Sequence, residues 1–109
     1  MTSAANQWTA FYTENTGIMY PAEAVIRIFK GSYDNLKMPK PKAGQSILDV
    51  GCGDGRHFPL FQSLGLLVSG TEVTGDITTQ LQNRFGHTRI ELRVGTCASL
   101  PWPTASFDY

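Results

Sequence analysis

The chain has 109 residues, 41% of them apolar and 17% charged, and its formal net charge is zero. This composition is ordinary for a globular domain, and the length allows one compact unit. Because the basic residues are scattered, the charge pattern does not indicate a nucleic-acid partner or an electrostatic attachment to a membrane. Residues 1–10 lack the pattern of a secretion signal, and no apolar run is long enough to span a bilayer. We therefore expect a soluble cytoplasmic protein.

The two cysteines, Cys52 and Cys97, lie far apart and lack the spacing of a metal site. They fit a reduced, intracellular environment, and we predict no metal site. Cys52 stands between two glycines, in the segment with the strongest functional signal of the chain.

Two helices are predicted before residue 37. Apolar residues recur at helical spacing over residues 5–12, and the turn-rich stretch 13–17 should end that helix. In the second helix Pro21 suits the first helical position, and Gly31 supplies the end. We assign residues 1–36 to an amino-terminal helical segment.

Residues 37–45 are predicted to be a linker, because the proline- and lysine-rich sequence KMPKPKAG cannot continue a helix. From residue 46 onward, apolar runs that end at turn residues alternate with apolar residues repeated every third or fourth position. The predicted strands are 47–50, 66–73 and 90–94, and the predicted helices are 58–64 and 77–85.

The third strand alternates apolar and charged residues, which is typical of a strand at a sheet edge. Residues 107–109 have the pattern of the beginning of a fourth strand. The order strand, helix, strand, helix, strand is half of a doubly wound sheet. The sequence therefore predicts an α/β fold, a Rossmann-like doubly wound parallel sheet that is incomplete, with amino-terminal helices.

The segment 49–55, DVGCGDG, lies between the first strand and the next helix. Its glycines permit positive φ angles and let backbone amides approach a ligand closely, while the helix amino terminus favours an anionic group. The same string also occurs in turns that bind nothing, so it does not identify a site by itself.

Glu72 adds a second signal. It lies about 20 residues downstream, at the end of the second strand, where nucleoside-binding α/β folds place an acid. Its two oxygens are suited to accept both ribose hydroxyls. The alternative is a solvated carboxylate at a strand end.

The loop also indicates which kind of cofactor it suits. A dinucleotide site usually has GxGxxG, but this chain has Arg56 in place of the third glycine. Asp49, two residues before the first glycine, would repel a phosphate and attract an ammonium group. These residues favour an aminoacyl sulfonium over a dinucleotide.

Residues 47–55, ILDVGCGDG, resemble motif I of class I S-adenosylmethionine-dependent methyltransferases, and Glu72 matches the family's ribose-binding acid. Residues 94–109, VGTCASLPWPTASFDY, resemble the family's third block, which runs beside the adenine. Three blocks in the family's order are more specific than one. The resemblance covers residues 46–109 and implies a partial methyltransferase domain whose cofactor is S-adenosylmethionine.

The resemblance also implies where the cofactor lies. The family usually has an acid after the glycine of the third block, and this chain has Thr96 there, so side-chain recognition of adenine should be weaker. Backbone groups of Cys97 and Ala98 are expected along the ring, although a plain loop is an alternative. The complete predicted cofactor site is Asp49, Gly51, Cys52, Gly53, Gly55, Glu72, Thr96, Cys97 and Ala98.

Similar enzymes use residues after the fourth strand to meet the acceptor, so no catalytic residue is predicted here. Helices before motif I often cover the cofactor in such enzymes, and Trp8, Tyr12 and Tyr20 are suited to such a lid. Packing of these aromatic rings onto the sheet is the interpretation we favour. His57 is expected to have a capping or surface role.

The leading hypothesis is the cofactor-binding portion of a methyltransferase whose acceptor is unknown. The alternatives are a non-catalytic truncated product that binds or regulates, and a less favoured NAD-dependent oxidoreductase fragment. In the family's sheet order the first strand is central, so we expect it to be an open edge here. Such an edge predicts marginal stability and self-association.

Overall fold

The computed structural model describes residues 4–14, 20–31 and 39–109. In chain order the helices are α1 (Ala4–Glu14), α2 (Glu23–Lys30), α3 (Phe58–Ser63) and α4 (Gly75–Phe85). The strands are β1 (Ser46–Val50), β2 (Leu67–Glu72) and β3 (Ile90–Val94). The four helices and the first three strands predicted from the sequence are present, and their bounds differ by one or two residues at the ends. Residues 107–109, predicted to begin a fourth strand, do not form a regular strand.

The three strands form one parallel sheet in the order β1-β2-β3, with Ile47 opposite Val68 and Val68 opposite Ile90. Paired residues of a parallel sheet point to the same face. The predicted Rossmann-like arrangement is confirmed, and β3 lies at an edge of the sheet, as its alternating sequence indicates.

The core lies between one face of the sheet and the helices α3 and α4. Phe58 and Ile77, near the first turns of these two helices, are completely buried. The ring of Phe58 packs edge-on against that of Phe85, with 5.2 Å between centroids. Because Phe58 is held in this way, the loop that connects β1 to α3 has a fixed end.

Helices α1 and α2 contact the α/β unit at different places. Phe29 of α2 packs against the rings of Phe61 and Tyr109, at centroid distances of 5.1 and 5.9 Å. Thr9 of α1 shares a hydrogen bond of 2.9 Å with the hydroxyl of Thr74, the residue that caps α4. The helical segment is therefore attached to the sheet unit on both sides of the glycine loop.

Two of the aromatic residues predicted to pack onto the sheet do not do so. Trp8 and Tyr20 are 51% and 71% exposed. The side chain of Tyr12 lies outside the described residues. Packing is therefore the wrong interpretation for Trp8 and Tyr20, because helical spacing does not specify which neighbour a helix face meets.

The predicted ends of the first two helices also need correction. Helix α1 continues through Thr13 to Glu14, and α2 begins at Glu23 instead of Pro21. Ala22 has extended backbone angles and donates its N–H to His57 Nε2 over 3.1 Å. This long-range hydrogen bond satisfies the N–H of the N-cap residue, which has no partner within the helix, and no local signal encodes it.

The outer edge of β1 is less open than expected. Asp108 and Tyr109 donate their N–H groups to the Ser46 carbonyl, and Leu48 donates to the Tyr109 carbonyl over 3.0 Å. The prediction of unpaired backbone groups is therefore wrong for Leu48, because residues 108 and 109 already pair like a fourth strand. Val50, at the other end of the strand, is 42% exposed.

None of the helices in the described ranges has both the length and the apolar character needed to cross a bilayer. Part of the predicted linker, residues 37 and 38, lies outside those ranges. The division into residues 1–36, 37–45 and 46–109 stays a prediction.

Gly70 provides a test of the packing between β2 and the helices. A Cβ at this position would lie 2.9 Å from Cys52 Sγ and 3.0 Å from Phe58 Cζ. We expect Gly70→Ala to lower the free energy of unfolding by about 1 to 3 kcal/mol through overpacking. Urea unfolding followed by circular dichroism measures the change.

Gly75→Ala is the matched control, because nothing lies within 4 Å of a Cβ at that position in the first turn of α4. It should leave the free energy of unfolding unchanged or raise it by about 0.5 to 1 kcal/mol. Equal midpoints for the two variants would contradict the described packing of β2.

Candidate functional site

The loop after β1 turns sharply at three glycines. Gly51, Gly53 and Gly55 have φ angles of 67°, 59° and 76°, a region that residues with a side chain rarely adopt. The sequence prediction of positive φ angles in this loop is therefore supported. At Gly55 a Cβ would also lie 2.6 Å from the Phe85 ring, so both backbone angle and space favour glycine there.

Glu72 lies at the end of β2 and points its carboxylate toward this loop. It is buried, with 6% of its surface exposed. Oε1 accepts the N–H of Gly53 over 2.8 Å, and Oε2 accepts the N–H of Val73 over 3.0 Å. Because each carboxylate oxygen can accept more than one hydrogen bond, both still have capacity for ligand hydroxyls.

Asp49, at the end of β1, is the second acid beside the loop. Its Oδ2 is buried and has no hydrogen-bond partner among the described residues. Burial, and secondarily the charge of Glu72, raises the pKa of Asp49 to about 6. A buried carboxylate without a donor is costly, so this oxygen is suited to a cationic or hydrogen-donating group.

A cavity of about 270 Å³ opens beside Asp49. Its lining combines the loop backbone with charged side chains and one aromatic ring from α1. The lining residues are Phe11, Asp49, Gly51, Cys52, Asp54, Arg56 and His57. An unpartnered acid and a glycine backbone fit an ammonium-bearing nucleoside better than a pyrophosphate, whose charge Asp49 would repel.

Cys52 contributes to this site through its backbone. Its N–H donates to the Thr71 carbonyl over 3.1 Å, and its side chain is buried against Gly70. Burial, followed by the charges of Asp49 and Glu72, raises the pKa of the Cys52 thiol, so the sulfur stays protonated and unreactive. Cys97, in contrast, is exposed.

The third block lies beside β1, but in a different cavity. Gly95 donates its N–H to the Glu72 carbonyl over 2.9 Å, which brings the start of the block to the end of β2. Thr96 pairs with Ser99 in a tight loop. Cys97 and Ala98 line a cavity of about 620 Å³ together with Leu48 and Val50.

The structure thus brings one group of the predicted residues together around the glycine loop. That group is Asp49, Gly51, Cys52, Gly53, Gly55 and Glu72. Thr96, Cys97 and Ala98 are not part of the same cavity lining. They stand on the other side of the β1 end, and their contact with a cofactor stays a prediction.

Four residues that line the loop cavity were not predicted as site residues. Asp54 and Arg56 belong to the loop itself, so their sequence position beside the glycines was an available signal. His57 was expected to have a capping or surface role; it stands at the N-cap position of α3 without a side-chain capping hydrogen bond, and its side chain is mostly buried. Phe11 carries no local signal, because it reaches the cavity only through the packing of α1.

A parallel sheet with a glycine loop after its first strand and an inward-pointing acid after its second defines a Rossmann-like nucleoside-binding domain. The family model described as "Methyltransferase domain" matches residues 47–109, more than half of the chain. The chain therefore belongs to the methyltransferase-domain family, and the cofactor is S-adenosylmethionine. The predicted family and cofactor are confirmed.

A probable S-adenosylmethionine-dependent methyltransferase from Mycolicibacterium smegmatis is 35% identical over 66 residues, which are 61% of this chain and 25% of the relative. The solved structure of a putative methyltransferase from an antibiotic biosynthesis pathway of Anabaena variabilis is 27% identical, with a TM-score of 0.56, over 78% of this chain and 29% of that chain. A SAM-dependent methyltransferase from Aquifex aeolicus supports the fold, with a TM-score of 0.65 at 18% identity over 92% of this chain and 53% of that chain. This chain spans about a quarter of the length of the curated relative.

The buried acid predicts a stability cost that depends on pH. The pKa of Asp49 is raised from 3.8 to about 6, so the folded chain holds a proton that the unfolded chain has lost between these values. Stability should therefore fall as pH rises through this window, by about 2 to 3 kcal/mol in total. We expect Asp49→Asn to be more stable than wild type at about pH 7.5 and equal to it near pH 3.5.

Urea midpoints of both proteins across this pH range measure the difference. Asp76→Asn is the control, because Asp76 is an exposed acid in the first turn of α4. A constant difference between Asp49→Asn and wild type at all pH values would contradict the raised pKa.

Proposed function

We propose that this chain holds S-adenosylmethionine at the loop after β1, as the cofactor-binding part of a methyltransferase that acts on an unidentified acceptor. The observation that supports this most directly is the pair of acids beside the glycine loop, the buried Glu72 and the partly buried Asp49. Glu72 accepts the Gly53 N–H, and Asp49, whose Oδ2 is buried without a hydrogen-bond partner among the described residues, lines the adjoining cavity. The two acids are suited to opposite ends of one aminoacyl nucleoside.

In this proposal Glu72 accepts hydrogen bonds from the ribose hydroxyls, and Asp49 accepts from the ammonium group. The cofactor can approach the backbone of the turn closely, because glycines leave space where side chains would stand. This turn contains Gly51, Cys52, Gly53 and Gly55. Thr96, Cys97 and Ala98 would line the adenine.

When bound, S-adenosylmethionine supplies an electrophilic methyl group attached to a sulfonium. The residues of this chain orient that group and keep water away from it, which is most of what methyl transfer requires from a cofactor site. Residues 46–109 form the proposed cofactor-binding domain, with residues 1–36 as a helical segment and 37–45 as a linker. Phe11, which lines the cavity, supports a covering role for α1.

Methyl transfer by the whole protein is part of the proposal. A non-catalytic binding or regulatory role is the second candidate, and transfer of a labelled methyl group by this chain alone would reject it.

The cytoplasmic location and self-association through the β1 edge stay predictions. Light scattering tests the latter, and a monomer at all concentrations would exclude it.

Glu72→Gln should weaken binding of S-adenosylhomocysteine by about 10- to 100-fold. Gln retains the size of the side chain but replaces one charged acceptor with a donor, and hydrogen bonds to a charged acceptor contribute about 1.5 to 3 kcal/mol. Isothermal titration calorimetry measures the dissociation constant.

Glu91→Gln is the matched control, because Glu91 is an exposed acid on β3 that pairs with Arg93. The affinity of this variant for S-adenosylhomocysteine should stay within about twofold of that of wild type. Equal binding by Glu72→Gln and wild type would remove Glu72 from the site. Tighter binding of NAD than of S-adenosylhomocysteine by the wild-type chain would overturn the proposed cofactor role.

A further inference from the structure

We propose that His57 is a positioning residue for the cofactor's ammonium group, because one of its ring nitrogens faces the Asp49 carboxylate and the other accepts a backbone N–H at the start of α2. This inference rests on the proposed function and adds a residue to the same site. His57 does not touch the methyl group in this proposal. It acts through Asp49.

The first part of the link is the contact between His57 and Ala22. The Ala22 N–H donates to His57 Nε2 over 3.1 Å. A ring nitrogen that accepts a hydrogen bond carries no proton, so the neutral imidazole must carry its proton on Nδ1. Burial and the neighbouring charge of Arg56 lower the pKa of His57, which favours this neutral form.

The second part is the approach of His57 to Asp49. Nδ1 lies 4.0 Å from Asp49 Oδ2, the oxygen that has no hydrogen-bond partner among the described residues. This distance is too long for a hydrogen bond, but a small rotation of either side chain would close it. Both side chains are mostly buried and line the same cavity.

The groups around the His57 ring favour an orientation in which its Nδ1–H points toward Asp49. Asp49 and Asp54 are the acids on the cavity side, and Arg56 is the adjacent cation. Arg56 Nε donates to the Tyr20 carbonyl over 2.8 Å, so two consecutive residues at the end of the glycine loop hold residues 20–22. The ring of His57 is thereby held on its far side while Nδ1 faces Asp49.

The consequence is a carboxylate with a defined orientation. An Nδ1–H donor would hold one oxygen of Asp49 and stabilise its ionised form, leaving the remaining lone pairs for an ammonium ion. The same ring connects this end of the cofactor site to α2. His57 should therefore affect ligands with an ammonium group and leave ligands without one unaffected.

The experiment compares two ligands by isothermal titration calorimetry with the full chain. S-adenosylhomocysteine has the ammonium group, and 5′-methylthioadenosine shares its thioether nucleoside but lacks the amino-acid end. His57→Phe keeps an aromatic ring, slightly larger than imidazole, and removes both nitrogens. We expect the variant to bind S-adenosylhomocysteine about tenfold more weakly than wild type and to bind 5′-methylthioadenosine with an affinity within about twofold of wild type.

Two further variants separate this role from simple filling of space. His57→Gln keeps a donor and an acceptor attached to one carbon, as the two ring nitrogens of His57 are, and should restore S-adenosylhomocysteine binding to within about threefold of wild type. Ala22→Pro removes the donor to Nε2, and the Ala22 φ angle of −61° already suits proline. This variant, in which His57 is intact, should bind S-adenosylhomocysteine about three- to tenfold more weakly than wild type. Its affinity for 5′-methylthioadenosine should not change.

Equal losses for both ligands in His57→Phe, or no loss for either, would overturn the positioning role while the proposed function stands. Failure of the wild-type chain to bind either ligand would overturn the proposed function and this inference with it. A selective loss in His57→Phe and Ala22→Pro, with recovery in His57→Gln, is the expected result.

Discussion

The hydrogen bond from the Gly53 amide to the buried carboxylate of Glu72 is the contact on which the site depends. It joins the loop after β1 to the end of β2, the strand that pairs with β1 in the sheet. The loop has positive φ angles that cost little at glycine. With the Glu72 carboxylate fixing one end and the buried Phe58 fixing the other, the turn has a defined shape before any ligand arrives.

The same arrangement places two acids close together in a buried environment. Glu72 receives two backbone N–H donors, which offset the cost of its burial. Asp49 lies beside the same loop with an oxygen that lacks a donor among the described residues, and its pKa is raised by burial and secondarily by the charge of Glu72. The Asp49 side chain therefore lowers the stability of the fold, although it favours the binding of a cationic ligand group. Functional sites commonly lower stability in this way. His57 Nδ1 lies 4.0 Å from Asp49 Oδ2, and its Nε2 accepts the Ala22 N–H just before α2.

Much of the fold could be predicted from local pattern. The apolar run of β1, the spacing of Ile77 and Leu81 in α4, and the alternation in β3 each specify an element and its buried face. The ends of elements were less predictable, because they depend on contacts with distant residues. Ala22, just before α2, donates its N–H to His57, and residues 108 and 109 pair with β1 at its outer edge.

The sequence by itself determined the family, the glycine turn and the position of Glu72, because these depend on residue types at short spacing along the chain. The tertiary structure alone decided that Asp49 has a buried oxygen without a donor, that His57 faces it, and that Phe11 of α1 lines the same cavity. It also separated Cys97 and Ala98 from that cavity, on the other side of β1. Burial and long-range contact depend on how the helices pack on the sheet, and periodicity shows that a face is apolar without showing what it meets.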